Sequence, residues 1–337
     1  MSAAHTLPHS MKAAVVAEAN GPFRIVDKPV PAVEAGQVLV RVIASGVNPL
    51  DTKIRTGAAG HAKHPFPAIL GMDLAGVVEK VGDGVHTFKV GDQVYGFVGG
   101  IGGHQGTLAQ YVAADARLLG HKPKNLSFRE ASVLPLVVIT AWEGLVDRAR
   151  TGKDSTVLIH GGAGGVGSVA IQIAKARGAK VFATGTRSQF ETIRSLGATP
   201  IDYTTTDAPE YVEQHTGGDG FDVVYDTVGG ATLDASFIAA KRYTGHVVSA
   251  LGWGTHALAP LSFRGATYSG VFTLMPLLLD FGRENHGRIL QSVREMVEAG
   301  QVRPLIDPTE FTLTDVGSAH ALVTTGDAKG KVAVTID

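Results

Sequence analysis

The sequence predicts two domains of different class, an all-β domain followed by an α/β domain built on a parallel, doubly wound sheet. Three observations carry this. Short strand-like runs separated by Gly and Pro fill the chain up to about Leu126. Beyond that point strand and helix patterns alternate, as they do where helices cover both faces of a parallel sheet. Within the alternating part, residues 156–174 (TVLIHGGAGGVGSVAIQIA) run from a buried strand through clustered glycines straight into a helical pattern.

Residues 1–10 (MSAAHTLPHS) lack the charged and apolar regions of a signal peptide and are expected to form a loose extension. Strands are expected at 13–16, 23–26, 38–44, 74–81, 93–97 and 108–112, with turns such as VGDGV between them. A largely helical stretch follows at 128–148 despite Pro135. Strands at 181–184, 221–225, 246–250 and 267–272 then alternate with helices near 188–196, 207–215 and 231–241. An amphipathic helix at 289–299 stops at Gly300. From Arg303 the pattern returns to strand-like segments that end in KVAVTID and are expected to rejoin the first domain. The boundaries that follow are 1–127, 128–274 and 275–337.

Composition narrows the function. With 337 residues, 44% of them hydrophobic and 18% charged, the chain has enough apolar material for about two packed cores. Thirty Lys+Arg against 31 Asp+Glu give no reason to expect nucleic acid or an anionic membrane as partner. The absence of cysteine removes disulfides, thiolate catalysis and cysteine-ligated metals together, as suits a cytosolic enzyme. No apolar run approaches the roughly 20 residues of a membrane span.

Gly162, Gly164 and Gly167 fall on GxGxxG between strand and helix. In that context the first glycine permits the tight turn, the second lets backbone approach a pyrophosphate, and the third lets helix and strand pack closely. The free N–H groups near Gly165 and Val166, at the positive end of the helix, face the phosphates. About 20 residues on, a cofactor with a free ribose 2′-hydroxyl calls for an acid, whereas the sequence reads TGTRSQ, Thr184 to Gln189. Arg187, between the hydroxyls of Thr186 and Ser188, instead suits a 2′-phosphate, so the expected cofactor is NADPH. The competing reading of Arg187 is an ordinary surface arginine. His61 and His64 are spaced HxxH but lack a third ligand nearby, and catalytic zinc needs three.

The segments GVNPLDTKIRTG, PAILGMDLAGVVEKVGDGVHTFKVGDQVYGF, TAWEGL, HGGAGGVG and GKVAVTID resemble the medium-chain dehydrogenase/reductase superfamily, and within it the zinc-independent quinone oxidoreductases and alkenal (enone) reductases. The resemblance covers nearly all of the chain from Met11. It implies a GroES-like β-barrel catalytic domain beside a Rossmann domain. The zinc-dependent members hold their metal with Cys, His and Glu in the stretches matching 45–51 and 71–73, which here read SGVNPLD and GMD. The cysteine-bearing structural lobe is also missing.

Further site residues are implied by the same resemblance. Asn48 would lie near the nicotinamide and substrate, its pre-proline position favouring extended backbone. Asp51 and Lys53 would line the same loop, or else form a plain surface ion pair. Quinone reductases often carry Tyr where this chain has Lys53, and alkenal reductases often carry Lys. Thr140 matches a threonine beside the nicotinamide. Ala250, Leu251, Val271, Phe272 and Thr273 match segments that hold the carboxamide. Tyr203 matches a 2′-phosphate contact whose companion lysine is replaced here by Gln189 or Phe190, and Lys331 joins the cofactor set.

The expected activity is hydride transfer from NADPH to quinones or other conjugated carbonyls, with Asn48 and water or Lys53 stabilising or protonating the oxyanion. An enone reductase is the near alternative, and an NADPH-binding redox sensor is the alternative of a different class. A homodimer or homotetramer is expected through the sheet edge near Val271, where FTLMPLLL is apolar.

Overall fold

The computed structural model describes residues 7–336, divided between two units. One comprises the chain up to Leu136, Leu274–Glu298 and the chain from Pro304. The other comprises Val137–Thr273 and Ala299–Arg303.

The first unit opens with β1 (Ser10–Val16), whose Met11 and Ala13 are buried with Leu39, Ala109 and Tyr111. Leu7 packs against the same cluster, so ordered packing begins before Met11. β1 pairs with β2 (Phe23–Pro29) over its whole length. The long strand β3 (Gln37–Val47) has nearly every residue buried or half-buried, as a strand covered on both faces must. It runs into α1 (Pro49–Arg55), whose first position is held by Pro49, where the missing N–H costs nothing. β4 (Ala68–Ile69), β5 (Asp73–Val81), β6 (Gln93–Phe97), β7 (Tyr111–Asp115) and β8 (Leu119–His121) follow. The strand expected at 108–112 starts later. Leu108 instead donates its backbone N–H to Leu70 O and accepts from Ala14 N, which ties it to β1 and to the residue after β4. The expected helical stretch from Phe128 is interrupted: α2 (Phe128–Ser132) ends before Pro135, which opens α3 (Pro135–Trp142) because its ring cannot sit in a helix interior.

The second unit carries a six-stranded parallel sheet, formed by β9 (Thr156–Ile159), β10 (Lys180–Gly185), β11 (Thr199–Asp202), β12 (Val223–Asp226), β13 (His246–Ser249) and β14 (Thr267–Gly270). The spatial order is β11-β10-β9-β12-β13-β14, which reverses direction between β9 and β12. That reversal creates the crevice at the carboxyl ends of strands where open sheets bind ligands. The crossover after β9 is α4 (Gly165–Ala176), and α5 (Phe190–Ser195), α6 (Ala208–Thr216), α7 (Ala231–Ala239) and α8 (Ala259–Arg264) cover the rest. Leu158, Phe182, Phe221, Val224, Phe237 and Val247 are all buried in one core. Each large side chain contributes about 1.5–3 kcal/mol by leaving water. β11 escapes the sequence pattern because it is a four-residue edge strand containing Pro200, the one place in a sheet that tolerates a proline.

The chain then returns to the first unit through α9 (Met275–Leu279) and α10 (Arg283–Glu298), which begins six residues before the helix expected from Ile289. The tail is not all strand-like: α11 (Val316–Thr325) lies between β15 (Phe311–Thr312) and β16 (Val332–Thr335). β16 pairs antiparallel with the end of β3, placing Val332 opposite Val47. On β3's other flank β5 places Asp73 opposite Gly46. The larger sheet of this unit runs β15-β16-β3-β5-β6-β8, with β7 also on β3.

Candidate active site

In the first unit, register brings three residues together at the carboxyl end of β3. Asn48 leaves β3, Lys331 precedes β16, and Asp73 opens β5. Asn48 has extended backbone (φ −113°, ψ 152°), as a residue before proline must, and is 1% exposed. Its Nδ2 donates to Asp73 Oδ2 at 2.9 Å, and its Oδ1 accepts from the Lys331 ammonium, which also donates to the Val47 carbonyl at 3.0 Å. A lysine ammonium only donates, so the carboxamide's orientation is fixed by chemistry rather than by choice of fit.

Two buried carboxylates frame this amide. Asp73 accepts from Leu136 N at 3.0 Å on its other oxygen, at the open end of α3. Asp51 accepts from Asn48 N at 2.8 Å and Gly71 N at 3.2 Å. Gly71 takes φ +95°, and a Cβ there would come within 2.5 Å of Thr107 Oγ1. Thr107 and Ser45 share a hydroxyl hydrogen bond of 2.7 Å behind it. Burial pushes Asp73 up to about 7, against the pull of Lys331 and of Asn48. Burial likewise pushes Asp51 up to about 6. The same burial lowers Lys331, which the two carboxylates oppose.

These contacts revise the expected roles. Asp51 is no surface ion-pair partner, being 1% exposed and held by backbone N–H groups. Lys53 sits on the exposed side of α1 and is not among the partners of Asn48, Asp51 or Asp73, because it falls two residues after Asp51 on a helix, facing away. The cation beside Asn48 is Lys331, expected in the cofactor set, and it arrives from the far end of the sequence through strand pairing. Asp73 was not singled out at all, although a lone Asp between Met72 and Leu74, both fully buried, is a legible sign of a satisfied buried charge. Among the described residues no group of three His, Cys, Asp or Glu could hold a metal ion, His61 and His64 included. Where zinc-dependent relatives would bind their metal, the donors present are an amide and two carboxylates already paired with N–H groups and an ammonium, a set that does not fit zinc.

The second unit holds the glycine turn between β9 and α4. A Cβ on Gly162 would lie 2.6 Å from Ala183 Cβ, and one on Gly167 would lie 2.1 Å from the Gly161 carbonyl oxygen. Gly164, the residue capping α4, has no side chain to offer, so the first-turn N–H groups of Gly165, Val166 and Gly167 are left for an external acceptor. This cradle fits a dinucleotide pyrophosphate. Thr184 was expected to touch the cofactor. It is 3% exposed, and its hydroxyl accepts from Gly161 N at 3.1 Å, which makes it a prop for the turn. His160 approaches the same hydroxyl at 3.3 Å and is pushed down to about 4 by burial.

At the end of β10, Thr186 starts a short turn in which Arg187 and Ser188 are exposed, with Thr186 Oγ1 2.9 Å from Ser188 Oγ. Gln189 accepts from Thr186 N at 3.0 Å and so closes the turn. Tyr203 is 57% exposed just beyond β11, the strand that neighbours β10. An acid unnoticed in the sequence stands here too. Asp202 pairs in register with Gly185, and its carboxyl is held below the usual range, first by Thr204 and also by the charge of Arg187.

At the carboxyl ends of β12 to β14, Asp226 organises the backbone. It accepts from Val228 N, Gly229 N and Ser249 Oγ, and Ser249 Oγ in turn accepts from Leu251 N at 3.1 Å. Ala250 N donates to Asp226 O, and Val271 N to Ser249 O, so both sit in place although the strands end at Ser249 and Gly270. The Phe272 ring meets Trp253 edge-on at 6.0 Å. Thr140 and Thr273 join by a 2.9 Å hydroxyl contact, while Tyr225 donates to the Thr140 carbonyl at 2.7 Å.

Comparison with known proteins agrees with this architecture. Residues 34–124 match the alcohol dehydrogenase GroES-like domain, and residues 196–334 match the zinc-binding dehydrogenase family. A 2-methylene-furan-3-one reductase of Solanum lycopersicum is 37% identical over 90% of this chain and 73% of its own. An NADPH-dependent alkenal/one oxidoreductase of Arabidopsis thaliana is 36% identical over the same shares. An alcohol dehydrogenase superfamily protein from Novosphingobium aromaticivorans has a solved structure with a TM-score of 0.95 and 57% identity, covering 97% of this chain and 100% of that one. The quinone oxidoreductase of Coxiella burnetii reaches 0.82 at 29% identity over the same shares. With its glycine cradle, its barrel-type first unit and relatives of this kind, the chain belongs to the medium-chain dehydrogenase/reductase superfamily, in the group of quinone and alkenal/one oxidoreductases.

Proposed function

We propose that this protein is an NADPH-dependent reductase of conjugated carbonyls, quinones or enones, working without zinc. The observation that carries the reading is the glycine-rich cradle at Gly162–Gly167, followed at the end of β10 by exposed Arg187. NADPH, when bound, supplies a hydride from its nicotinamide. Gly165, Val166 and Gly167 offer N–H groups to its pyrophosphate, and Arg187 with Ser188 offers charge and hydrogen bonds to its 2′-phosphate. Tyr203 flanks that phosphate site. Thr140, Thr273 and the backbone at Ala250, Leu251, Val271 and Phe272 orient the nicotinamide end. Asn48 gives an N–H to the oxygen on which negative charge develops, the role a metal fills in zinc-dependent relatives. Water supplies the proton, since Lys53 is turned away.

The names of the Solanum and Arabidopsis relatives favour enones, and that of the Coxiella relative favours quinones. A steady-state screen of quinones against 2-alkenals and enones, with NADPH and NADH in parallel, tests the reading. No NADPH oxidation with any conjugated carbonyl would refute it. A homodimer through the exposed edge strand β14 is part of the proposal. Met275 and Leu279 nearby in sequence are exposed, and light scattering reads the outcome. No helix among the described residues is long and apolar enough to cross a membrane, and the proposed compartment is the cytosol, checked by fractionation.

A further inference from the structure

Asp226 is fully buried, at 0% exposure, at the carboxyl end of β12, and its surroundings satisfy it without neutralising it. Its Oδ1 accepts from Val228 N at 3.0 Å and from Gly229 N at 2.9 Å, and its Oδ2 accepts from Ser249 Oγ at 2.7 Å. Three accepted bonds and none donated is the pattern of an ionised carboxylate. All three donors are neutral, so they hold the charge in place without cancelling it. The titratable groups near enough to feel it do not cancel it either. Burial pushes His160 down to about 4 and keeps it neutral, burial raises Tyr225 and Tyr268, and His256 is already answered by Asp234 at 2.9 Å. A charge buried without a counter-ion costs stability that a neutral amide of the same shape would spare.

The location gives that charge a use. The glycine turn after β9 and Arg187 after β10 take the half of a dinucleotide that lies over β9 to β11. The other half then crosses the reversal in strand order to the carboxyl ends of β12 and β13. Asp226 stands at that end, in register with Ser249, whose Oγ accepts from Leu251 N at 3.1 Å.

We propose that Asp226 is a fixed anion behind the nicotinamide, favouring the ring's cationic oxidised form over its neutral reduced form. The proposal rests on the function argued above. Loss of a hydride turns the neutral dihydronicotinamide into a cationic pyridinium, the hydride going to the electron-poor carbon of the substrate and a proton from water to its oxygen. An anion in a low-dielectric site lowers the energy of that cation, and of the transition state in which it develops, and has little effect on the neutral ring. Asp226 thereby makes the bound cofactor a stronger hydride donor, through its field rather than through contact. An Asp226 that only tied the 228–229 turn to Ser249 would treat the two redox forms alike.

The test measures dissociation constants of NADP⁺ and NADPH on the full-length protein, native and with Asp226→Asn, Ser249→Ala or Val228→Lys. Asp226→Asn keeps the shape and an acceptor for Val228 N and Gly229 N, and removes the charge. It should weaken NADP⁺ roughly tenfold relative to NADPH, the scale of one charge acting through protein beyond hydrogen-bond distance. Hydride transfer to an enone at saturating NADPH should slow in the same variant. Ser249→Ala disturbs the same network but keeps the charge, so any loss should fall on both forms, with their ratio within about twofold of native. Val228 is 50% exposed and gives its N–H to Asp226, so Val228→Lys sets a cation near the carboxylate at little risk to folding. It should shift the ratio in the direction of Asp226→Asn, and it decides the matter if Asp226→Asn does not fold. An unmoved ratio in Asp226→Asn, an unmoved ratio in Val228→Lys where Asp226→Asn does not fold, or an equal shift in Ser249→Ala would overturn the proposal. A native protein that binds neither cofactor would instead refute the functional reading.

Discussion

Gly167 stands so close to Gly161 that a Cβ on the former would come within 2.1 Å of the latter's carbonyl oxygen. The clash is with backbone, which cannot swing aside as the end of a flexible side chain does. Gly167→Ala should therefore push α4 off the β9 turn, at a cost of about 1–3 kcal/mol, the usual range for overpacking. It should also abolish detectable cofactor binding, because the N–H groups of the first helical turn move with the helix. Gly164→Ala, whose Cβ would meet the same oxygen at 3.1 Å, should be milder. Thermal unfolding and fluorescence titration with NADPH on both variants check the ranking, and equal behaviour would contradict it.

Arg187 is exposed and faces no packing demand, so its replacement isolates its charge. Arg187→Ala should weaken NADPH by about 1.5 kcal/mol, roughly tenfold, the low end for a charged hydrogen bond at a solvated site. NADH, which lacks the 2′-phosphate, should bind almost as before. Asp202→Asn should act in the opposite sense, strengthening NADPH slightly, since removing a negative charge near Arg187 lessens repulsion of the phosphate. Dissociation constants for both cofactors in both variants settle this, and parallel losses in Arg187→Ala would show that the residue only supports its loop.

His320 makes a pH prediction. It is 1% exposed, its ring packs edge-on against Phe23 at 4.9 Å, and neither ring nitrogen has a hydrogen-bond partner among the described residues. Burial pushes it down to about 3. Above pH 6.5 it is neutral both folded and unfolded and has no effect. As pH falls from about 6.5 towards 3 the unfolded chain takes up a proton that the folded one refuses, so stability is lost in that window. His320→Leu should be relieved of the loss, by on the order of 3 kcal/mol at pH 4 relative to the native protein. Asp51 and Asp73, raised by burial, work in the opposite direction between about pH 4 and 7. For that reason the comparison is between variant and native protein at each pH. Urea unfolding at pH 7 and pH 4 reads it, and a constant difference between the two proteins would contradict it.

Zinc should be dispensable. With Lys331 already against Asn48 and no thiolate in the chain, added zinc meets no set of three ligands among the described residues. Activity should survive prolonged chelation, and elemental analysis of purified protein should find no stoichiometric zinc. Loss of turnover on chelation, restored by zinc alone, would contradict the prediction.

What the sequence made legible was local. The glycine turn, the strands of the sheet after it except β11, and the extended backbone at Asn48 each follow from residues adjacent in the chain. The polar cluster was only half readable. Asn48 and Asp51 lie on one turn, but Asp73 and Lys331 reach them through strand register, which no periodicity encodes. Lys53 drew attention by proximity in sequence and proved to face outward. Asp202 escaped for the same reason, because an acid near the end of β10 comes from a neighbouring strand, in register with Gly185.

The pairing of β16 with β3 also has a bearing on how the molecule forms. Lys331 and Asn48 are 283 positions apart, and the second unit, almost entirely one continuous stretch, lies between them. The pairing of β12 with β9 closes a loop of 66 positions, from Val157 to Val223, whereas the catalytic cluster waits for Val332 and Val47, the ends of a far longer loop, to meet. Pulse-labelled hydrogen exchange during refolding should therefore protect β9 and β12 before β3 and β16, and activity should return with the later phase. A chain caught between the phases would hold its cofactor cradle ready while Asn48 still lacked the lysine beside it.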